Sequence, residues 1–163
     1  MPLTGVAGDA KVVAVPRIVL AIAVFLVLQS PPVWVGTWRL NPEKSLGNSD
    51  SPYKRTTFTI SPWEDGLRVA YDLVGIRGGV THLEWNGRFD GKDYPVQGID
   101  FVMTNAYSRV DDHTYSFVIK REGRVSGNVK VSVSADGRTM TAVTTGKNAQ
   151  GQDMRTTAVY DKL

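Results

Sequence analysis

Alternation of apolar and polar residues is the property of this sequence that most restricts its fold. Between residues 67 and 73 every second residue is apolar, and an arginine and an aspartate stand between them. The stretches 115–120 and 129–134 largely follow the same period of two. Because successive side chains of a β-strand point to opposite faces, this pattern predicts strands with one face on a core and the other in solvent.

Turn dipeptides separate the alternating stretches. Asp65-Gly66, Asp90-Gly91 and Asp136-Gly137 each lie between two of them, and Asp-Gly readily supplies the positive φ angles of tight hairpins. The predicted strands cover residues 34–40, 54–61, 66–73, 80–89, 93–97, 101–109, 113–121, 124–134, 138–146 and 152–161. The sequence after the N-terminal leader predicts no helix.

Strands joined in order by short hairpins form a meander, and closing a meander on itself removes its exposed edges. We therefore predict an all-β domain over residues 33–163, built as a single antiparallel up-and-down β-barrel of about 8–10 strands. The alternative is a two-layer sandwich. Sandwiches usually need long crossover connections, whereas the one long connection here spans residues 41–53.

An apolar run near the N-terminus predicts export. Ile18 to Leu28 are eleven apolar residues without interruption, and Lys11 and Arg17 precede them. A basic region followed by such a run is the layout of a signal peptide, and the run is shorter than the roughly 20 residues of a membrane span. Because no Ala-x-Ala cleavage motif follows, residues 1–30 are predicted to be either a signal peptide or an N-terminal membrane anchor. The domain is then periplasmic or secreted, or it is tethered to the inner membrane.

Composition excludes several classes of function. The chain has no cysteine, which excludes disulfides, thiolate metal sites and cysteine nucleophiles. Its 19 basic and 16 acidic residues leave a net charge of +3, which is too small and too evenly spread for nucleic-acid binding. No Gly-x-Ser-x-Gly nucleophile motif occurs.

Two histidines are the remaining candidates for acid–base or metal chemistry. His82 and Glu84 share a face of a predicted strand, but a metal site needs further ligands. His113 follows Asp111 and Asp112 where a hairpin turn is expected, and Asp is a favoured turn residue. We therefore predict no metal site, no cofactor and no enzymatic activity.

A short motif at the start of the first predicted strand resembles a known family. Gly36-Thr37-Trp38 matches the Gly-x-Trp signature that opens the first strand of lipocalins and their calycin relatives. The stretches that resemble exported bacterial lipocalin-like proteins of uncharacterised function are GTWRLNPEKS (36–45), FDGKDYPVQG (89–98), SADGRTMT (134–141) and VYDK (159–162). The resemblance implies that Trp38 plugs the closed end of the barrel. It also implies that a basic residue of a late strand packs across the ring, and Arg155 is the candidate.

The aromatic residues of the predicted strands favour a binding function. A barrel of this size holds either packed side chains or a cavity, and aromatic and methionine side chains around a cavity form an adaptable apolar pocket. The residues predicted to bind a small hydrophobic or amphipathic ligand are Tyr71, Trp85, Met103, Tyr115 and Phe117. The small residues predicted to face inward beside them are Thr104, Ala106, Ala142, Thr144 and Ala158.

Three functions fit these observations. The first is an exported carrier or sensor that admits a small hydrophobic molecule past a loose glycine-rich loop at residues 75–79. The second is a structural or interaction module of the cell envelope whose barrel is filled by its own side chains. The third is an enzyme that uses His82 or His113 at the barrel mouth.

Overall fold

Ten β-strands and one short 3-10 helix form the regular structure of the described residues, which in the computed structural model are 31–47, 53–147 and 150–163. The strands are β1 (Gly36–Leu40), β2 (Tyr53–Trp63), β3 (Gly66–Gly75), β4 (Val80–Arg88), β5 (Asp93–Pro95), β6 (Met103–Arg109), β7 (Thr114–Arg121), β8 (Arg124–Val133), β9 (Thr139–Lys147) and β10 (Asp153–Lys162). The helix spans Pro42–Lys44. The ends of all ten strands lie within two residues of their predicted positions. The predicted leader, residues 1–30, lies outside the described residues.

The strands form one antiparallel sheet in which every strand pairs with its neighbour in sequence, except at the step from β4 to β5. The first and last strands also pair, with Trp38 opposite Lys162 and Leu40 opposite Tyr160. This pairing confirms the predicted meander that joins its first strand to its last. Within the described residues, no helix is long and apolar enough to cross a membrane.

The barrel is nearly closed, with a seam between β4 and β5. Two backbone hydrogen bonds span the seam, from Glu84 N to Gln97 O at 3.1 Å and from Gln97 N to Glu84 O at 2.8 Å. Because β5 has only three residues, it cannot form a full ladder with β4. The predicted fold class is confirmed, and the seam is the place where closure is incomplete.

Trp38 closes one end of the barrel, as the resemblance implied. Its side chain is 0% exposed, and its indole Nε1 donates a hydrogen bond to the carbonyl oxygen of Trp34 at 2.8 Å. The ammonium of Lys162 lies 5.0 Å from the centre of the Trp38 ring. A Cβ on Gly36 would come within 2.6 Å of Lys162 Cε, so the glycine of the motif leaves room for this cation.

The prediction that Arg155 covers Trp38 is wrong, because Lys162 occupies that place. Arg155 pairs with Thr145 near the start of β10, seven residues before Lys162, and strands rise about 3.3 Å per residue. Arg155 therefore lies roughly 23 Å from the plug. It is also exposed, because Tyr160 and Ala158 line the interior and an odd separation from them places Arg155 on the outer face.

Candidate functional site

A cavity of about 340 Å³ lies inside the barrel above the Trp38 plug. Every strand except β5 contributes at least one residue to its wall. At the plug end the wall is made by Val131 and Met140, which are buried. At the opposite end it is made by Leu73, Ile119 and Thr144, which are half-buried. Exposure rises toward this second end, which is therefore the mouth.

Four of the five predicted ligand-binding residues line this cavity, namely Tyr71, Trp85, Tyr115 and Phe117. Met103 does not. It is the first residue of β6 and pairs with Arg121 at the end of β7, which places it beyond the cavity wall. Whether the four lining residues bind a ligand stays a prediction.

The small residues predicted to face inward divide in the same way. Ala142, Thr144 and Ala158 line the cavity. Ala106 instead borders a depression on the outer surface, and Thr104 shares its face. The prediction for these two residues is wrong because Asn105 and Tyr107 are the buried, inward residues of β6, and a shift of one residue exchanges the faces of a strand.

Aromatic rings that were left out of the predicted binding set complete the wall. Phe58 stacks on Tyr71 with ring centres 5.2 Å apart, and it meets Tyr160 edge-on at 4.8 Å. Tyr107 lies 4.9 Å from Phe117. All three omitted residues, Phe58, Tyr107 and Tyr160, line the cavity. Each of them is separated by an even number of positions from apolar residues of the same strand, and this spacing could have indicated that they face inward.

A close approach between strands fixes the position of Tyr107. Its ring packs over Gly87 of β4, where an added Cβ would come within 2.5 Å of the ring. Trp85 Nε1 donates a short hydrogen bond to the Tyr107 hydroxyl, and Asn105 Nδ2 donates to the same oxygen at 3.4 Å. This network ties β4 to β6 on the inside of the seam.

The polar groups of the cavity are hydroxyls. The hydroxyls of Tyr71 and Tyr160 share one hydrogen bond of 3.1 Å. Tyr115 lines the cavity as well, and its hydroxyl is not among the described side-chain atoms that are buried without a partner. Threonines at the mouth end, Thr56 and Thr144, supply further hydroxyls.

The electrostatics of the cavity keep these phenols neutral. Burial raises the pKa of Tyr71 and of Tyr115 well above the usual value for a tyrosine. Burial likewise raises the pKa of Tyr107 and of Tyr160. Among the described residues, no Asp, Glu, Lys, Arg or His lines the cavity. The site can therefore donate hydrogen bonds at any physiological pH but offers no charge to a ligand.

The mouth is surrounded by turns that carry exposed apolar side chains. The predicted loop at residues 75–79 lies at this end, beyond Leu73, but two hydrogen bonds close it as an ordered turn: Gly75 N donates to Gly79 O at 2.7 Å and Gly78 N to Gly75 O at 2.9 Å. The large apolar residues exposed at this end of the barrel are Leu46, Ile76, Val80, Phe101, Val102, Val125 and Met154.

The histidines lie outside the cavity. His82 is exposed on the outer face of β4, with Nδ1 2.7 Å from Asp72 Oδ1 and Nε2 3.8 Å from Glu84 Oε2. The hydrogen bond with Asp72 is the main cause that raises the pKa of His82. His113 follows the predicted turn, where its backbone N–H donates to Asp111 Oδ1 at 2.8 Å. The part of the chain that the structure describes contains no group of three potential metal ligands.

Comparison with solved structures finds this fold in the zebrafish ileal bile acid-binding protein, whose crystal structure contains cholic acid. The two chains are 12% identical with a TM-score of 0.53, and the alignment covers 80% of this chain and 99% of that one. A scan against protein-family models and a search of curated proteins gave no match. At this identity the likeness establishes the fold alone, and the chain is a nearly closed, ten-stranded antiparallel β-barrel.

Proposed function

We propose that this protein binds one small hydrophobic or amphipathic molecule inside the barrel and acts as a carrier or sensor of that molecule. The observation that carries the proposal is the cavity of about 340 Å³, which is walled by aromatic and aliphatic side chains and opens at one end. Ligand pockets of proteins typically measure roughly 300–1,000 Å³ and combine apolar walls with a few polar groups. The cholic acid held by the zebrafish protein is a ligand of this general kind.

The second candidate is a structural module whose barrel holds no ligand. In that case the interior would be expected to pack as tightly as other protein cores, which leave few voids larger than a water molecule. The cavity volume favours the binding function.

A titration with Nile red, an uncharged dye that fluoresces in apolar surroundings, tests the proposal. We expect saturable binding of one dye per chain, with quenching of tryptophan emission because Trp85 lines the cavity. Ala142→Phe places a ring in the cavity and should abolish this binding. Ala70→Phe is the matched control, because Ala70 is on the outer face of β3 between the inward residues Val69 and Tyr71.

Three results would argue against binding in the barrel. These are unsaturable dye fluorescence, equal binding by the Ala142→Phe and Ala70→Phe variants, and a Trp85→Ala variant that binds as tightly as the parent protein. Any of them would favour the structural module.

We further propose that the domain acts outside the cytoplasm, either released or tethered to the inner membrane by an uncleaved leader. The support is the basic-then-apolar sequence of residues 11–28. A fusion of residues 1–40 to a reporter that is active only after export should give activity, and Leu20→Arg with Val24→Arg should abolish it. A reporter that is inactive with the native leader would contradict the proposed address.

A further inference from the structure

We propose that the cavity selects an uncharged ligand with a hydrogen-bond acceptor oxygen, such as a ketone, an ester or a quinone, and seats that oxygen against the hydroxyl of Tyr115. This inference rests on the proposed binding function and names its ligand class. Two features of the wall carry it. Several phenol hydroxyls line the cavity, and no described residue of the wall carries a charged side chain.

The phenols supply more donor hydrogens than the protein uses. The Tyr71 and Tyr160 hydroxyls share a single hydrogen bond, so one of their two hydrogens has no acceptor in that pair. Tyr115 also lines the cavity, and its hydroxyl is not among the described side-chain atoms that are both buried and unpartnered. A carbonyl oxygen of a ligand in the cavity could accept its hydrogen.

Tyr115 is held where a ligand can reach it. Its ring contacts Trp34 edge-on with centres 5.4 Å apart, and it lies 6.1 Å from the ring of Tyr107. Aromatic rings therefore pack against Tyr115 on these sides, and the residue also lines the cavity. Because the ring is packed near the plug, the acceptor oxygen would enter the cavity first and the apolar remainder would follow.

The same wall disfavours an ionised carboxylate. Burying a carboxylate removes its hydration, and that loss is recovered only where a cation or several good donors replace the water. No Lys, Arg or His of the described chain lines the cavity. Cations do occur at the mouth end of the barrel, where Arg77 and Arg124 are exposed. The competing arrangement is therefore an amphipathic acid with its carboxylate at the mouth.

Three probes of nearly equal shape separate these arrangements. They are 2-acetylnaphthalene, 2-ethylnaphthalene and 2-naphthoic acid, each measured on the full-length protein by displacement of Nile red. The ketone carries the acceptor, the ethyl compound lacks it, and the acid is ionised at pH 7.5. We expect the acid to bind at least about 10-fold more weakly than the ketone at pH 7.5. The difference should narrow at pH 5, because more of the acid is then neutral.

Tyr115→Phe removes the hydroxyl and keeps the ring. We expect it to weaken ketone binding roughly 2- to 10-fold, the range of one hydrogen bond, and to leave binding of the ethyl compound unchanged. Tyr94→Phe is the control, because the Tyr94 hydroxyl bonds to Asp90 outside the cavity. It should leave the affinities for all three probes unchanged.

Equal affinities for the acid and the ketone at pH 7.5 would overturn the inference. An unchanged ketone-to-ethyl affinity ratio in Tyr115→Phe would also overturn it. Nile red binding that Ala142→Phe abolishes, together with no displacement by any naphthalene, would refute the ligand class and leave the proposed function standing. Failure of Nile red itself to bind would refute both.

Discussion

The most demanding structural prediction concerns Trp38→Ala. The side chain is 0% exposed, and a buried aromatic ring of this kind removes on the order of 150–250 Å² from solvent. At about 25 cal/mol per Å² this area corresponds to roughly 4–6 kcal/mol, which is an upper estimate because the unfolded chain already buries some of it. Large-to-small core substitutions at tryptophan cost about 3–5 kcal/mol. We therefore expect the free energy of unfolding to fall by about 3–5 kcal/mol.

The cation that covers the ring gives a second, smaller effect in the same experiment. Lys162→Met should cost about 0.5–1 kcal/mol, the range for a solvent-accessible cation–π contact, whereas Arg155→Met should stay within about 0.5 kcal/mol of the parent protein. Urea unfolding followed by circular dichroism measures all three variants. A loss below about 1 kcal/mol for Trp38→Ala would refute the plug. Equal effects of Lys162→Met and Arg155→Met would refute the assignment of Lys162.

The remaining predictions concern packing and pH. Gly87→Ala should lower the melting temperature and reduce the free energy of unfolding by about 1–3 kcal/mol, because the added Cβ would strike the Tyr107 ring. Gly127→Ala is the control. Its effect should be smaller, because the added Cβ would meet its nearest atom at 3.4 Å. Hydrogen bonds, chiefly the one from the Ser134 hydroxyl, lower the pKa of Asp136. Ionised Asp136 therefore stabilises the fold above its unfolded-state pKa of about 3.9, and this stabilisation is lost as pH falls through the folded-state pKa. Asp136→Asn should flatten the acid limb of a stability–pH curve. The hydrogen bond with Asp72 raises the pKa of His82. Protonated His82 therefore stabilises the fold below about pH 6.5, and this stabilisation is lost as pH rises through the folded-state pKa. His82→Gln should remove that change, and an unaltered curve in either variant would contradict the assigned contact.

The fold could be predicted because its signals are local. Alternation fixes which residues of β3, β7 and β8 face inward, and short turns join the strands in order. The pairing of β1 with β10 followed from the need to remove open edges. The seam between β4 and β5 could not be predicted, because it depends on how far two short, distant segments approach each other.

The errors at the site have physical causes as well. The stretch from Phe101 to Ala106 has no clear alternation, and the buried inward residue there is a polar one, Asn105, held by its bond to Tyr107. A hydrophobic pattern therefore assigned the opposite face to Ala106. The error at Arg155 arose because the resemblance fixes the type of residue that covers Trp38 but not its register, and Lys162 is the cation opposite Trp38 in the β1–β10 pairing.

The central claim is that a ligand occupies the interior of the barrel rather than its outer surface. An outer depression of about 420 Å³, bordered by Ala106 and Val118, offers an alternative place for an apolar molecule. Methyl NMR of the protein titrated with Nile red distinguishes the two most directly. We predict saturable shifts of the Met140 and Ala142 methyl signals, with Ala106 and Val118 unchanged. Shifts confined to Ala106 and Val118 would contradict the account.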